Sequence, residues 1–111
     1  MLSAQSASLA LLKPGSTAAS IDLAARNVIK EAGYGEEFTH RVGHGIGIKA
    51  HESPYLHKAN RAVLREGMVV TLEPGVYLSE RFGVRIEDVF VVRRGEAECL
   101  SGRRAVDAWT P

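Results

Sequence analysis

Glycine occupies every second position of the segment Gly43–Gly47, and this pattern constrains the fold more than any other feature of the sequence. The segment reads Gly-His-Gly-Ile-Gly, so the side chain of His44 has a glycine on either side. Without a Cβ atom, the backbone can lie close to a neighbouring segment, a metal ion or a substrate. We therefore expect another part of the molecule or a ligand to approach the chain closely at His44.

Two helices are predicted ahead of this segment. Residues 2–12 alternate small and aliphatic side chains without a helix breaker, and Pro14 follows them. Over residues 18–32 the apolar side chains recur at helical spacing, and Gly33 follows. These apolar positions are Ile21, Ala24, Ala25, Val28, Ile29 and Ala32. The second helix is therefore predicted to pack one face against a sheet.

The sheet is predicted to come from the second part of the chain. Residues 38–42 are predicted to form a short strand that leads into the glycine segment, whereas residues 48–60 are predicted to form a loop. Residues 68–72 are predicted to form an apolar strand that Pro74 stops, and residues 84–92 another strand. Helices followed by strands indicate the α+β class rather than alternating βαβ units.

Composition excludes several classes of protein. The chain has 111 residues, 45% of them hydrophobic and 24% charged, which suits one globular domain. Its net charge of +1 provides no basic surface for nucleic acid, and no apolar run reaches the roughly 18 residues of a membrane helix. The single cysteine, Cys99, excludes an intrachain disulfide. We therefore expect a cytoplasmic protein without nucleic-acid or membrane partners.

Three of the four histidines lie close together in the sequence, at His40, His44 and His51. Histidine is the commonest protein metal ligand and a usual acid–base group near neutral pH. A histidine within a glycine-rich turn, with two others nearby, is therefore a candidate for a functional site.

Two glutamates on the predicted strands could join this histidine. Glu73 follows an apolar strand, and Glu87 lies inside another, where a carboxylate costs several kcal/mol unless it is paired or binds a cation. The alternative is a surface ion pair between Glu87 and Arg85 on an edge strand, and spacing alone does not decide between the two. With His44 added, the set of one imidazole and two carboxylates suits manganese, cobalt, zinc or iron.

Ordered blocks of the sequence resemble the M24-type metallopeptidases with the pita-bread fold, which include methionine aminopeptidases, prolidases and Xaa-Pro aminopeptidases. The blocks are His40–Gly47, His51–Pro54, Glu66–Tyr77 and Gly83–Asp88. Within them, Glu-Pro-Gly-Val-Tyr and Arg-Ile-Glu-Asp are similar to the Xaa-Pro aminopeptidase and prolidase branch.

The resemblance implies an α+β fold that forms the C-terminal half of a pita-bread (aminopeptidase/creatinase-like) fold, with amphipathic helices packed on an antiparallel curved sheet. It implies that residues 1–111 are a partial catalytic domain, in which the tail at about 102–111 is weakly determined. It also implies a metal-dependent hydrolase that cleaves Xaa-Pro peptide bonds, with short peptides carrying proline at P1′ as substrates.

Five residues bind two metal ions in this family, and three of them match His44, Glu73 and Glu87. The resemblance implies that they bind divalent metal, manganese with cobalt and zinc as alternatives, at a site that holds two ions and a shared hydroxide. Glu87 would bridge the ions, and Glu73 would be both a ligand and the general base.

The remaining site residues implied by the resemblance surround these ligands. His51 would stabilise the tetrahedral intermediate, His40 would line the proline side of the pocket, and Arg85 would lie beside the metal site.

The sequence departs from the family in lacking its two aspartate ligands, since none of Asp22, Asp88 and Asp107 matches them. We therefore expect a piece of a longer product with a partial metal site and weak or absent activity on its own. An exposed sheet edge would then favour a homodimer or other self-association. Two alternatives remain, namely a non-catalytic peptide- or protein-binding module or inactive fragment of the same fold, and a creatinase-like amidohydrolase that needs no metal.

Overall fold

The computed structural model describes residues 1–102 and Arg104, in which two helices precede seven strands. The helices are α1 (Leu2–Leu11) and α2 (Ala18–Glu31). The strands are β1 (Gly43–Gly45), β2 (Glu52–Leu56), β3 (Val69–Leu72), β4 (Gly75–Leu78), β5 (Phe82–Arg85), β6 (Asp88–Val91) and β7 (Glu98–Cys99). The predicted α+β class is confirmed. Most of the tail at 102–111, including Asp107, lies outside the described residues.

The strands form two antiparallel sheets. Five of them pair in the order β2-β1-β3-β6-β7, and β4 pairs with β5 in a separate hairpin. The helices pack against each other, with α1 also contacting β3 and α2 contacting β2. Buried side chains of α2, such as Ile21 and Ile29, join Leu72 and Phe90 of the sheet in one apolar core. None of the described helices is long and apolar enough to cross a membrane.

Both helices form where local sequence signals predict them. The hydroxyl of Thr17 accepts a hydrogen bond from the Ser20 amide at 3.2 Å and so caps the N-terminus of α2. Lys30 lies in its last turn, and Gly33 follows with a φ of +88°, a conformation that glycine adopts without strain. The bounds of α2 agree with the predicted helix over 18–32 to within one residue.

The predicted strand over 38–42 is wrong, because side chains of α2 bind the backbone of this segment. The guanidinium of Arg26 donates hydrogen bonds to the carbonyl oxygens of Phe38 and His40, each at 2.9 Å. The Val42 amide donates to Asp22 Oδ1 at 2.8 Å. The carbonyls of Phe38 and His40 are therefore bound by α2, and the strand begins only at β1, although the Val42 amide also donates to the Leu56 carbonyl of β2 at 3.2 Å.

The predicted loop over 48–60 is wrong at Glu52–Leu56, which form β2 and pair with β1 through a register of His44 with Tyr55. The residues on either side of β2 form no helix or strand, as predicted. Pro54 lies within β2, and it favoured a loop in the sequence because proline donates no ladder hydrogen bond. At the edge of the sheet, where β2 lies, that missing donor is tolerated.

The predicted strand over 84–92 is wrong as a single element, since it divides into β5 and β6 at Ile86–Glu87. The chain also resumes pairing after Pro74, where we expected pairing to stop. The two interruptions face each other, because the register pairs on either side are Leu72 with Asp88 and Gly75 with Arg85. The β4–β5 hairpin thus leaves the main sheet between Glu73–Pro74 on one strand and Ile86–Glu87 on the other.

Candidate metal site

The facing interruptions bring the two candidate glutamates together beside His44 of β1. One ligand atom from each of His44, Glu73 and Glu87 can be chosen so that all three lie within 4.8 Å of one another. The three residues come from different parts of the chain, and pairing of β1 with β3 and of β3 with β6 assembles them.

Two glycines allow β1 to lie between its neighbours. A Cβ atom at Gly43 would overlap the main chain of Thr71 on β3, and one at Gly45 would overlap the main chain of Ser53 on β2. The close approach that the glycine pattern predicts is therefore made by two strands. His44, between these glycines, is held in a buried position with 5% of its surface exposed.

Hydrogen bonding fixes which ring nitrogen of His44 is available to a ligand. Nδ1 lies 2.8 Å from the carbonyl oxygen of Gly45, and it must carry hydrogen because a carbonyl can only accept. Nε2 lies 3.0 Å from Oε1 of Glu73. In the neutral ring, Nε2 therefore presents its lone pair towards the carboxylate, as a shared cation would require.

Glu87 differs from expectation in its burial. It lies in the interruption between β5 and β6 and is exposed, so the cost of burying a carboxylate in an apolar strand does not arise. Its Oε2 lies 3.7 Å from Nη2 of Arg85, and 42% of its side chain is exposed. This is the ion pair of the alternative reading, but an exposed pair at this distance contributes little to stability. It leaves Glu87 able to bind a cation.

A pocket of about 170 Å³ opens over His44 and Glu73, and Glu87 does not belong to its lining. Its lining consists of His40, Arg41, His44, His51, Glu73 and Arg85. The pocket therefore collects all four residues that the sequence predicts as catalytic. The ring of His51 lies 4.2 Å from that of His44, centroid to centroid, and is exposed at the pocket.

Tyr77 is a member of this site that sequence reasoning did not single out, although it closes the motif Glu-Pro-Gly-Val-Tyr. His40 Nδ1 donates to the Arg41 carbonyl at 2.7 Å, so Nε2 accepts from the Tyr77 hydroxyl at 2.9 Å. Interaction with the side chain of Tyr77, followed by the charge of Glu87, raises the pKa of Arg85 above its ordinary value. Arg85 therefore stays cationic wherever the protein functions.

Thr71 is a second such residue. It is buried, and its hydroxyl contacts both the main chain of His44 and the carboxylate of Glu73. The sequence could have indicated this contact. Thr71 lies in the predicted strand over residues 68–72 and Glu73 directly follows it, and extended residues two apart share a face.

The residues fit a divalent metal. The set offers one imidazole nitrogen and two carboxylates without a thiolate, which suits manganese, cobalt or zinc. The bond from Nδ1 to Gly45 also supplies the hydrogen bond that commonly orients a metal-binding imidazole.

Comparison with known proteins gives consistent similarities. The family described as "Metallopeptidase family M24" matches residues 1–94. The Xaa-Pro dipeptidase of Pyrococcus horikoshii is 46% identical over 101 residues, which are 91% of this chain and 29% of that protein. The prolidase structure from the same organism superimposes with a TM-score of 0.90 at 44% identity, over 96% of this chain and 31% of that one.

The X-Pro aminopeptidase structure from Thermotoga maritima gives a TM-score of 0.89 at 43% identity, over 94% of this chain and 30% of that one. This chain therefore spans less than a third of the length of the relatives that it matches.

Proposed function

Because the chain belongs to metallopeptidase family M24, we propose that it supplies part of the catalytic site of a metal-dependent Xaa-Pro dipeptidase. One observation carries the proposal, namely that ligand atoms of His44, Glu73 and Glu87 lie within 4.8 Å of one another. The names of the relatives, Xaa-Pro dipeptidase and prolidase, support peptides with proline at P1′ as the substrate class.

In this proposal, His44 Nε2 and the carboxylates of Glu73 and Glu87 hold a divalent metal, with manganese as the expected ion and cobalt or zinc as alternatives. A divalent metal bound there would polarise the scissile carbonyl and activate a water molecule. Glu73 is also the proposed general base. Its Oε1 already accepts a hydrogen bond from the Thr71 hydroxyl, so the transferred proton would move to the other carboxylate oxygen, Oε2.

The other pocket residues act on the substrate. His40 and His51 line the pocket and face the peptide, with the imidazole of His40 oriented by Tyr77. Arg85 keeps a positive charge beside Glu87 and limits where that carboxylate can point.

The test is metal stoichiometry, measured on the purified 111-residue chain after soaking in manganese and desalting, together with hydrolysis of an Xaa-Pro dipeptide. We expect about one ion per chain, since the described residues provide three ligands, and slow or no hydrolysis. Glu87→Gln removes one charged ligand and should weaken manganese binding about 10-fold or more.

Glu36→Gln is the matched control, because Glu36 is an exposed glutamate in the segment after α2 and is not a member of the candidate ligand group. Equal manganese binding by the wild type and both variants would contradict the proposed site. Hydrolysis that persists after chelation would instead favour the creatinase-like alternative, and a chain that neither binds metal nor hydrolyses peptide would favour the binding module.

A further inference from the structure

We propose that Thr71 is a positioning residue for the candidate metal site, with one hydroxyl that holds the main chain of His44 and the carboxylate of Glu73 in register. The inference rests on the proposed function, since it concerns how two of the proposed ligands are arranged before a metal binds. Thr71 lies on β3 with 1% of its surface exposed, so its hydroxyl depends on protein partners.

The partners of the Thr71 hydroxyl determine which of its hydrogen bonds it donates and which it accepts. Oγ1 lies 3.1 Å from the His44 amide, which can only donate, and 2.9 Å from Oε1 of Glu73. The carbonyl of His44 is a further acceptor at 3.5 Å, which is at the limit for a hydrogen bond. Because a hydroxyl has one hydrogen, it donates to Glu73 and accepts from His44.

The contact depends on an unusually close approach of β1 to β3. A Cβ atom at Gly43 would lie 3.1 Å from Oγ1 of Thr71 and would also overlap the carbonyl of Thr71. The pairing of β1 with β2 shifts register between His44 and Gly45, so β1 is irregular at the ligand. A side-chain hydroxyl thus supplies the acceptor for the His44 amide at a point where the sheet is irregular.

The Glu73 carboxylate is therefore oriented by a hydrogen bond to one of its oxygens, which also lies beside the ring of His44. Oε1 of Glu73 accepts from Thr71 at 2.9 Å and lies 3.0 Å from Nε2 of His44. A glutamate side chain loses rotamer freedom when it binds a metal, and holding it beforehand reduces that cost. Groups that orient metal ligands in this way commonly change metal affinity by about 10- to 100-fold.

The experiment compares Thr71→Val, which keeps the shape of the side chain and removes the hydroxyl, with Thr71→Ser, which keeps the hydroxyl. Ser8→Ala is the control, since it deletes another buried hydroxyl, which donates to the Ile21 carbonyl at 2.7 Å between α1 and α2. Manganese dissociation constants are measured by calorimetry on all four chains, and amide hydrogen exchange at His44 is followed without metal.

We expect Thr71→Val to raise the manganese Kd about 10-fold or more and Thr71→Ser to restore it to within about 3-fold. We expect the His44 amide to exchange about 10-fold faster in Thr71→Val alone. A loss of thermal stability in Ser8→Ala without a change in Kd separates positioning from general destabilisation.

A Thr71→Val chain that binds manganese as tightly as the wild type would overturn the inference and leave the proposed function standing. A wild-type chain that binds no manganese would overturn the proposed function. In that case an unchanged His44 exchange rate in Thr71→Val would also show that the hydroxyl does not hold His44, whereas faster exchange would show that it does.

Discussion

Gly43 lies where β1 and β3 approach so closely that a single added methyl group would meet rigid atoms. The nearest of these atoms belong to the main chain of Thr71, which cannot rotate away as a side chain could. By contrast, Gly95 lies in the turn before β7 with no heavy atom within 4 Å of the corresponding position. The two positions separate the effect of close approach from the general effect of replacing glycine.

At the residue scale we therefore predict that Gly43→Ala lowers the free energy of unfolding by about 2 kcal/mol or more, because β1 must shift away from β3. Gly95→Ala should change it by less than about 0.5 kcal/mol. Urea unfolding of both variants checks this. Similar losses in the two variants would mean that the strands can separate at little cost.

At the scale of elements, α2 does more than cover the sheet, because it also holds the segment that leads to the site. Asp22 is fully buried and accepts two hydrogen bonds from Arg26, at 2.8 and 3.0 Å, and a third from the Val42 amide. Arg26 in turn donates to the carbonyls of Phe38 and His40. One ion pair on α2 thus fixes the backbone on both sides of Arg41.

We predict that Asp22→Asn lowers the free energy of unfolding by about 3 kcal/mol, because it leaves Arg26 without a charged partner in a mostly buried position. The control is Glu66→Gln, which breaks an exposed pair with Arg94 and should cost less than about 1 kcal/mol. Chemical denaturation measures both. A loss in Asp22→Asn no larger than in Glu66→Gln would show that the buried pair adds little.

The elements differ in how far the sequence predicts them. α2 follows from local signals, namely apolar spacing, the Thr17 cap and Gly33, and these do not depend on distant residues. β1 has only three residues, and β2 contains Pro54, so both depend on pairing with partners that local sequence does not identify.

The candidate site is also predictable from the sequence only in part. His44, Glu73 and Glu87 were identified from residue type and family motifs, and the fold brings them together. The exposure of Glu87 was not predicted, because it follows from two interruptions that face each other only when the strands are paired.

At the scale of the whole molecule, apolar side chains are exposed on the hairpin beside the site. Every residue of β5 is exposed, with Phe82 at 60% and Val84 at 40%. Ile48, in the turn between β1 and β2, is also fully exposed. The edge strand β2 carries Pro54, which discourages pairing with another strand, and the other edge strand, β7, has only two residues. The hairpin is therefore a better candidate for self-association than either edge of the sheet.

We predict that the chain self-associates and that Phe82→Ser weakens this association about 10-fold, because it removes the most exposed apolar side chain of the hairpin. Val63→Ser is the control, since Val63 is 53% exposed outside the hairpin and the helices. Sedimentation equilibrium measures both. A monodisperse wild-type monomer would contradict the prediction, and an equal effect of the two substitutions would place the contact elsewhere.

The paired interruptions of the strands have a mechanical consequence. The hairpin is joined to the main sheet by two short connections, one containing Glu73 and the other Glu87. Because Glu73 and Glu87 lie in these connections, the separation of their carboxylates depends on the angle between the hairpin and the main sheet. A cation bound by both carboxylates would therefore favour one orientation of the hairpin. The orientation of the hairpin and the affinity for the cation would then be thermodynamically linked. The orientation of the hairpin, which the hydrogen bond from the Tyr77 amide to the Glu37 carbonyl also holds at 3.2 Å, would then contribute to cation affinity alongside Thr71.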